Sequence, residues 1–294
     1  MGFRTIVVNQ HSKLSYKNNH LIFKSETTTE TIHLSEIDLI ILETTDIVIT
    51  TMLVAKLVEE NIAVIFCCKK SLPSAQLVPY YGRHDSSLTM KKQLQWDDDR
   101  KHYAASQIIR QKMHNQAEFL HSYNFTQKAT AIIKLADQLQ PTDPTNREGH
   151  AARIFFNTLY GNDFSRHNPN TINSGLDYGY TLIMAMFARE IAKCGLLTQL
   201  GINHSNQFNP YNLASDIMEP FRPIIDDIVY THSSHNFDYI KNKLFEIFLQ
   251  TYAYNGAQMY LSNIVSHYVK GCIAYLNQET ANLPIFAYTR SGKE

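Results

Sequence analysis

The sequence has few of the features that cross-link a protein or carry it into a membrane. It has only four cysteines, of which Cys67 and Cys68 are adjacent, and none shows the C-x-x-C spacing of a zinc site. Its longest clean apolar run, residues 62–68, is much shorter than the roughly 20 residues that span a bilayer. Its first five residues lack the charged stretch and apolar core of a secretory signal. These absences predict a protein of the reducing cytoplasm, without a membrane partner.

The chain also has no net charge, because 27 Lys and Arg residues balance 27 Asp and Glu residues. This balance excludes a polybasic coat, so any surface that binds nucleic acid must come from charges sorted onto one face. Charged residues make up 18% of the chain, with 11 glycines and 9 prolines, which excludes a disordered or fibrous protein. Hydrophobic residues, at 44%, are sufficient for a sizeable core. A length of 294 residues predicts one large or two modest folded domains.

The hydrophobic pattern changes from strands to helices along the chain. Strands are predicted at 5–8, 14–17, 21–24, 29–34, 38–43 and 63–67, with one helix at 51–60. Helices are predicted at 86–123, 125–139, 148–160, 170–194, 213–230, 237–251 and 259–276. We therefore predict an α+β, multidomain protein with a small β-rich N-terminal domain (1–80), a linker (81–88) and a larger all-α C-terminal domain (89–294).

Glu148 lies at the N-terminal end of a helix face that Ala152, Phe155 and Leu159 make apolar, because these positions step by four, three and four. A carboxylate there either caps the start of the helix or points into a shared cavity as a ligand. The spacing leaves both roles open.

A second candidate segment begins in a loop that contains His204 and continues into a predicted helix. Asp216, Glu219 and Arg222 step by three along one side of that helix. They either neutralise one another on an exposed face or present two carboxylates to a metal, with Arg222 binding phosphate or supporting the acids. Glu148, His204 and Glu219 together would form an O,N,O donor set that suits Mg²⁺ or Mn²⁺ better than structural zinc. Such a cation can polarise a phosphodiester.

The residues from 201 to 223, with His204 leading into Ser-Asp-Ile-Met-Glu-Pro-Phe-Arg-Pro at 215–223, resemble the hallmark of the CRISPR-associated integrase family. These proteins are the universal endonuclease-integrases of spacer acquisition. Residues 170–181 resemble the family's helix entry before that loop, and Glu148 with its following residues resembles the first acidic motif. The N-terminal residues 2–9 are most similar to the type II branch, subtype A.

The resemblance implies a site and a reaction. Glu148, His204 and Glu219 would be catalytic ligands of Mg²⁺ or Mn²⁺, with Asp216 as a secondary ligand or a supporting group. A 3′-hydroxyl of captured DNA would attack a phosphodiester of the CRISPR repeat, which inserts the captured DNA into the array for antiviral defence.

The resemblance also implies partners. These are double-stranded DNA (prespacer and repeat), a second copy of the chain joined through the β-rich domain, and the small ferredoxin-like second adaptation protein. In subtype A, the ring-shaped DNA-end-binding accessory protein and the RNA-guided effector nuclease would be further partners. Candidates for DNA contact are Lys91 and Lys92 in the first long predicted helix, and Arg147, Arg166 and Arg222 near the presumed site.

Two other functions fit the same residues. A stand-alone metal nuclease acting on branched repair intermediates would use the same three ligands. A non-catalytic DNA-binding scaffold would use its acids only to cap helices. Joined half-site DNA distinguishes an integrase from the nuclease, and loss of metal affinity on substitution of the acids distinguishes both enzymes from the scaffold.

Overall fold

A computed structural model of the protein describes residues 4–68, 73–77 and 85–290, and the chain divides into two units, Met1–His84 and Asp85–Glu294. Of the linker predicted at 81–88, residues 81–84 lie outside the described residues, and a helix begins at Ser86. In the part of the chain that is described, no helix is both long enough and apolar enough to cross a bilayer.

The first unit has, in its described residues, two four-stranded sheets and one helix. The strands are β1 (Arg4–Val8), β2 (Ser12–Lys17), β3 (His20–Lys24), β4 (Thr29–His33), β5 (Ile37–Leu42), β6 (Ile47–Ile49), β7 (Ala63–Cys67) and β8 (Pro73–Leu77), with helix α1 (Thr51–Glu59) between β6 and β7. One sheet has the order β1-β5-β7-β8 and the other β4-β3-β2-β6. Leu14, Leu21, Ile40, Leu53 and Leu57 are fully buried in the shared core of this unit. The strand-rich N-terminal region that we predicted is confirmed.

Two strands of this unit were missed in the sequence. The strand β6 has only three residues, too few for an alternating pattern to be recognised. The strand β8 begins with Pro73, and a proline in a sequence usually indicates a turn or a break in a strand. Strand β8 lies at the edge of its sheet, where the first position of a strand tolerates a residue without a backbone N–H.

The second unit is mostly helical, as predicted. Its helices are α2 (Ser86–Leu94), α3 (Asp98–Ser122), α4 (Thr126–Asp137), α5 (Arg147–Tyr160), α6 (Thr171–Lys193), α7 (Asn212–Ile217), α8 (Arg222–Thr231), α9 (Phe237–Leu244) and α10 (Leu261–Leu276). The helix predicted at 86–123 is two helices, because the side chain of Asp97 accepts a hydrogen bond from the Arg100 backbone N–H at 2.9 Å and starts α3 there.

The helix predicted at 213–230 is also interrupted. A 3-10 turn, Glu219–Phe221, separates α7 from α8, and prolines at 220 and 223 each remove a backbone N–H that a continuous helix would need. This break decides where the Glu219 side chain lies.

The C-terminal domain is not purely helical, contrary to the all-α prediction. A hairpin of β9 (Thr251–Tyr254) and β10 (Ala257–Tyr260) spans the gap between the helices predicted at 237–251 and 259–276 and includes their adjoining ends, residues 251 and 259–260. Asn255 and Gly256 form its two-residue turn with φ angles of 50° and 78°, which is the Asn-Gly signal of a tight hairpin.

The long helix α6 crosses α8 and α9 closely at Gly179. A Cβ at this position would lie 2.5 Å from Ile225 Cγ2 and 3.0 Å from Leu244 Cδ2. A glycine inside a helix costs stability relative to alanine, so the close packing must compensate for it.

We expect Gly179→Ala to lower the free energy of unfolding by about 1–3 kcal/mol, because the overlap with Ile225 outweighs a helix-propensity gain of about 1 kcal/mol. Denaturant titration measures the change. Ser174→Ala on the same helix is the control and should shift stability by less than about 0.5 kcal/mol. A more stable Gly179→Ala variant would contradict the close crossing.

Candidate active site

Four ionisable side chains from separate segments of the second unit line one small cavity. Glu148 lies in the first turn of α5, His204 in the loop after α6, Asp216 near the end of α7, and Glu219 at the start of the 3-10 turn. The cavity measures about 10 Å³, which is room for about one group the size of a water molecule. The fold therefore brings the predicted site residues together.

Glu148 is not the residue that caps α5. The backbone N–H groups of Arg147 and Glu148 donate to the two carboxylate oxygens of Asp143, at 2.7 and 2.9 Å. Asp143 thus accepts the hydrogen bonds of the unpaired backbone N–H groups at the start of α5. The Glu148 side chain lines the cavity instead. Of the two roles that its spacing left open, the geometry favours the one inside the shared cavity.

Asp216 organises the loop that carries His204. Its Oδ2 accepts hydrogen bonds from the backbone N–H groups of Ile202 (2.7 Å) and Asn203 (3.0 Å). Its Oδ1 accepts from the His204 backbone N–H at 3.0 Å and contacts His204 Nδ1 at 2.5 Å. A Cβ at Gly201 would lie 2.6 Å from Asp216 Oδ2, so this turn requires glycine. Both oxygens of Asp216 are therefore engaged in holding the loop, which is the supporting role among the two that we predicted.

The contact with Asp216 also sets the state of the His204 ring. This hydrogen bond raises the pKa of His204, and burial opposes the rise. Because Nδ1 faces Asp216, the ring nitrogen available to a ligand is Nε2.

Glu219 is buried, with an exposed fraction of 5%, between two cationic groups. Lys112 Nζ lies 2.6 Å from its Oε2, and Arg222 Nε donates to its Oε1 at 2.9 Å. Burial alone would raise the pKa of Glu219, but Arg222 and Lys112 outweigh that effect and lower it to about 2. The carboxylate is therefore ionised at neutral pH.

Lys112 is the site residue that the sequence analysis missed. Its ammonium contacts Glu148 Oε1 as well as Glu219 Oε2, and only 7% of the residue is exposed. Burial would lower the pKa of Lys112, but Glu219 and Glu148 raise it above its usual value. A signal existed: Ala105, Ile109 and Lys112 step by four and three on α3, and a lysine on a buried helix face needs an acidic partner.

Arg222 connects the cavity to a second buried group. Its guanidinium lies 4.5 Å from the centre of the Tyr180 ring, and the Tyr180 hydroxyl donates to Asp226 Oδ1. Burial raises the pKa of Asp226 to about 7, although Tyr180 and Arg222 oppose the rise. Asp226 Oδ2 makes no hydrogen bond to any described residue.

The basic residues predicted to contact DNA have different environments. Lys91 and Lys92 are exposed on α2, and Arg147 is half-buried at the first position of α5. Arg166 donates to Asn173 Oδ1 at 2.6 Å and also pairs with Asp177. Arg222 is held by Glu219 and Tyr180, as described above, so Arg166 and Arg222 both have internal partners.

A larger cavity of about 680 Å³ opens beside His204. Trp96, Leu200 and the loop residues 204–210 form much of its wall, and Phe208 is 84% exposed there. The space next to the small cavity is therefore accessible to a large substrate.

Among the described residues, no three His, Cys, Asp or Glu side chains are arranged as a formed metal site. The donor types nevertheless suit a hard divalent cation, because Glu148 and Glu219 supply oxygens and His204 supplies a nitrogen. The Lys112 ammonium between the two glutamates shows that a positive charge is accepted at this point.

The sequence profile described as CRISPR associated protein Cas1 matches residues 5–255, which contain all four ionisable residues of the small cavity. The chain belongs to the Cas1 family. The CRISPR-associated endonuclease Cas1 of Neisseria meningitidis serogroup C (strain 8013) is 32% identical over 226 residues, which span 77% of this chain and 74% of that protein. A second Cas1 endonuclease, from Francisella tularensis subsp. novicida (strain U112), is 27% identical over 178 residues, or 54% of this chain and 55% of that protein.

Solved structures share the Cas1 fold. A casposase bound to integration product has a TM-score of 0.78 at 19% identity, covering 96% of this chain and 92% of the casposase. A Cas1 protein from Thermotoga maritima has a TM-score of 0.75 at 15% identity, covering 98% of this chain and all of that one. The Cas1 family predicted from the motif at 201–223 is confirmed, and the relative from Neisseria meningitidis is a CRISPR-associated endonuclease. The type and subtype stay a prediction.

We expect Asp216→Asn to lower the free energy of unfolding by about 2–4 kcal/mol, because an amide group would face backbone N–H donors that the carboxylate now satisfies. Denaturant titration measures the change. Unchanged stability would contradict the loop-holding role.

We expect Asp226 to make the stability of the protein fall as the pH rises from about 4 to about 7. Its folded-state pKa, about 7, lies above the value of an unfolded aspartate, so the folded protein holds the proton more tightly and loses this advantage on deprotonation. Asp226→Asn removes that dependence while keeping an acceptor for Tyr180. Relative to the wild type, the variant should therefore gain about 2 kcal/mol between pH 5 and pH 8 in denaturant titrations. Parallel pH profiles for the two proteins would contradict the assignment.

Proposed function

We propose that this Cas1 protein is a metal-dependent DNA integrase with nuclease capability, which inserts captured DNA into a CRISPR array in antiviral defence. The observation that carries the proposal is the convergence of Glu148, His204 and Glu219, from three separate segments, on one cavity. Family membership supports the same conclusion.

Glu148, His204 and Glu219 would hold Mg²⁺ or Mn²⁺. When bound, the cation supplies Lewis-acid activation of a phosphodiester and of the attacking hydroxyl. Asp216 contacts His204 Nδ1, which would leave Nε2 to bind the cation. Arg222 keeps Glu219 ionised and in place.

In the proposed reaction, a 3′-hydroxyl of the captured DNA attacks a phosphodiester of the repeat. One P–O bond forms as another breaks, the hydroxyl loses its proton, and the leaving strand ends in a new 3′-hydroxyl. Because the DNA hydroxyl is itself the nucleophile, the step needs no covalent intermediate with the protein, and the leaving 3′-oxygen takes up a proton in place of the one that the attacking hydroxyl loses. Hydrolysis follows the same course when water replaces the 3′-hydroxyl.

The proposed partners are double-stranded DNA, a second copy of this chain, and the small ferredoxin-like second adaptation protein. Similar structures include a casposase bound to integration product, a Cas6-RT-Cas1--Cas2 complex and a Cas1–DNA complex, which supports DNA and a Cas2 protein as partners.

We further propose a type II, subtype A system in the cytoplasm, with the ring-shaped DNA-end-binding protein and the RNA-guided effector nuclease as additional partners. The resemblance of residues 2–9 to that branch supports this assignment. Lys91 and Lys92, exposed on α2, and Arg147 are the proposed DNA contacts that have no internal ion pair described above.

We expect Glu148→Gln and His204→Ala each to reduce strand transfer by at least about a hundredfold, because each removes a cation ligand. The assay incubates prespacer DNA with a labelled repeat and separates the joined half-site products on a denaturing gel. Asp99→Asn, which removes an exposed carboxylate in the first turn of α3, is the matched control and should keep the wild-type rate.

Each outcome of this assay has a distinct meaning. Joined products from the wild type support the integrase, whereas shortened strands alone would support the stand-alone nuclease. No joined or shortened strands from the wild type, with the same Mn²⁺ affinity in the wild type and Glu148→Gln, would support the DNA-binding scaffold.

A further inference from the structure

The Lys112 side chain lies where two of the proposed cation ligands meet. Its ammonium contacts Glu148 Oε1 and, at 2.6 Å, Glu219 Oε2, and the residue is buried. Two contacts on one nitrogen bring the carboxylates of Glu148 and Glu219 within a few ångströms of each other. A cation bound by both glutamates would have to occupy this same position.

We infer that Lys112 is an internal stand-in for the divalent cation, which holds Glu148 and Glu219 together in the metal-free protein and must withdraw when the cation binds. This inference rests on the proposed function, because it assumes that the two glutamates are cation ligands. It assigns to Lys112 a positioning role and makes it a competitor of the metal.

Electrostatics explains why the site needs such a group. Two carboxylates side by side repel each other, and Glu219, which is buried, is largely shut off from the water that would otherwise solvate its charge. One ammonium between them removes that repulsion. A divalent cation and an ammonium cannot share the position, because like charges at contact distance in a buried site repel strongly.

Open space lies beside Glu148, one of the two contacts of Lys112, and gives a withdrawn ammonium room next to the site. A second cavity, of about 200 Å³, adjoins the small one, since Ala105, Ile109, Glu148 and Asn203 line both. Glu219 keeps its bond to Arg222 when the lysine withdraws, so its second oxygen stays oriented. A lysine has a flexible four-carbon stem and a compact charge, which suits a group that moves more than a planar arginine would.

The first experiment compares the Mn²⁺ affinity of the wild type with that of Lys112→Met, using electron paramagnetic resonance of free Mn²⁺ at fixed pH and ionic strength. We expect Lys112→Met to bind Mn²⁺ about tenfold tighter or more, because the competing charge is gone. Lys101→Met is the matched control: it lies on the same helix, about 16 Å along the axis, and also pairs with an aspartate, Asp98. It removes the same charge and should leave the affinity unchanged.

The same variants report on the metal-free state through thermal unfolding. In excess EDTA, Lys112→Met should have a lower Tm than the wild type, because its two glutamates are left without the shared ammonium. Saturating Mn²⁺ should remove the Tm difference between Lys112→Met and the wild type. It should not alter the Tm difference between Lys101→Met and the wild type.

A second experiment needs no variant, so it stays decisive if Lys112→Met fails to fold. Wild-type protein is treated with an amine-reactive reagent in EDTA and in saturating Mn²⁺, and the modification of each lysine is followed by peptide mass spectrometry. We expect Mn²⁺ to raise the modification rate of Lys112 at least about fivefold, since a withdrawn ammonium loses its burial and its ion pairs. Lys101 should react at the same rate in both conditions.

The outcomes separate this inference from the proposed function. Equal Mn²⁺ affinity in the wild type and Lys112→Met, or weaker binding in the variant, would overturn the stand-in role while leaving the metal site intact. Unchanged labelling of Lys112 in Mn²⁺-saturated protein would do the same. Absence of Mn²⁺ binding in the wild type and in Lys112→Met would overturn both proposals together.

Discussion

The candidate active site of this Cas1 protein depends on the placement of two negative charges side by side, one of them in the protein interior. Glu219 is buried and Glu148 is partly exposed, and Lys112 contacts both. Burying a carboxylate is costly unless paired charges and hydrogen bonds compensate. Lys112 and Arg222 provide that compensation from two sides, so the protein can keep an ionised Glu219 where an uncompensated one would take up a proton.

The positions of these charges follow from interruptions in helices. Prolines at 220 and 223 break a helical segment into α7, a 3-10 turn and α8, and the turn begins at Glu219. At the start of α5, Asp143 takes over the capping of the backbone N–H groups, which leaves Glu148 for the cavity. Local backbone chemistry therefore selects which acids are available for the site.

Many of the strands and helices could be predicted from the sequence because each depends on a pattern of neighbouring residues. The strand Ala63–Cys67 was predicted at its observed limits, since a short apolar run with β-branched residues is a strong local signal. Glu148, His204 and Glu219 were found through a motif and not through spacing, because three separate segments have no common period. The hairpin at 251–260 was missed because its strands have only four residues each and residues 252–258 were left as a connection between two helices, although Asn255-Gly256 was a usable turn signal. Lys112 was missed because its partners are distant in the chain, and only the packing of α3 brings them together.

The loop that carries His204 has one part that holds the histidine and another part that lines the large cavity. Gly201 permits the tight turn, and Asp216 accepts hydrogen bonds from the backbone N–H groups of residues 202–204. These hydrogen bonds do not depend on the side chains that follow the histidine. The outward residues 205–209 form part of the wall of the neighbouring large cavity instead. Substitutions at 205–209 would change the shape of the large cavity without moving His204. The position of the histidine and the choice of the molecule that binds in the cavity can therefore evolve separately.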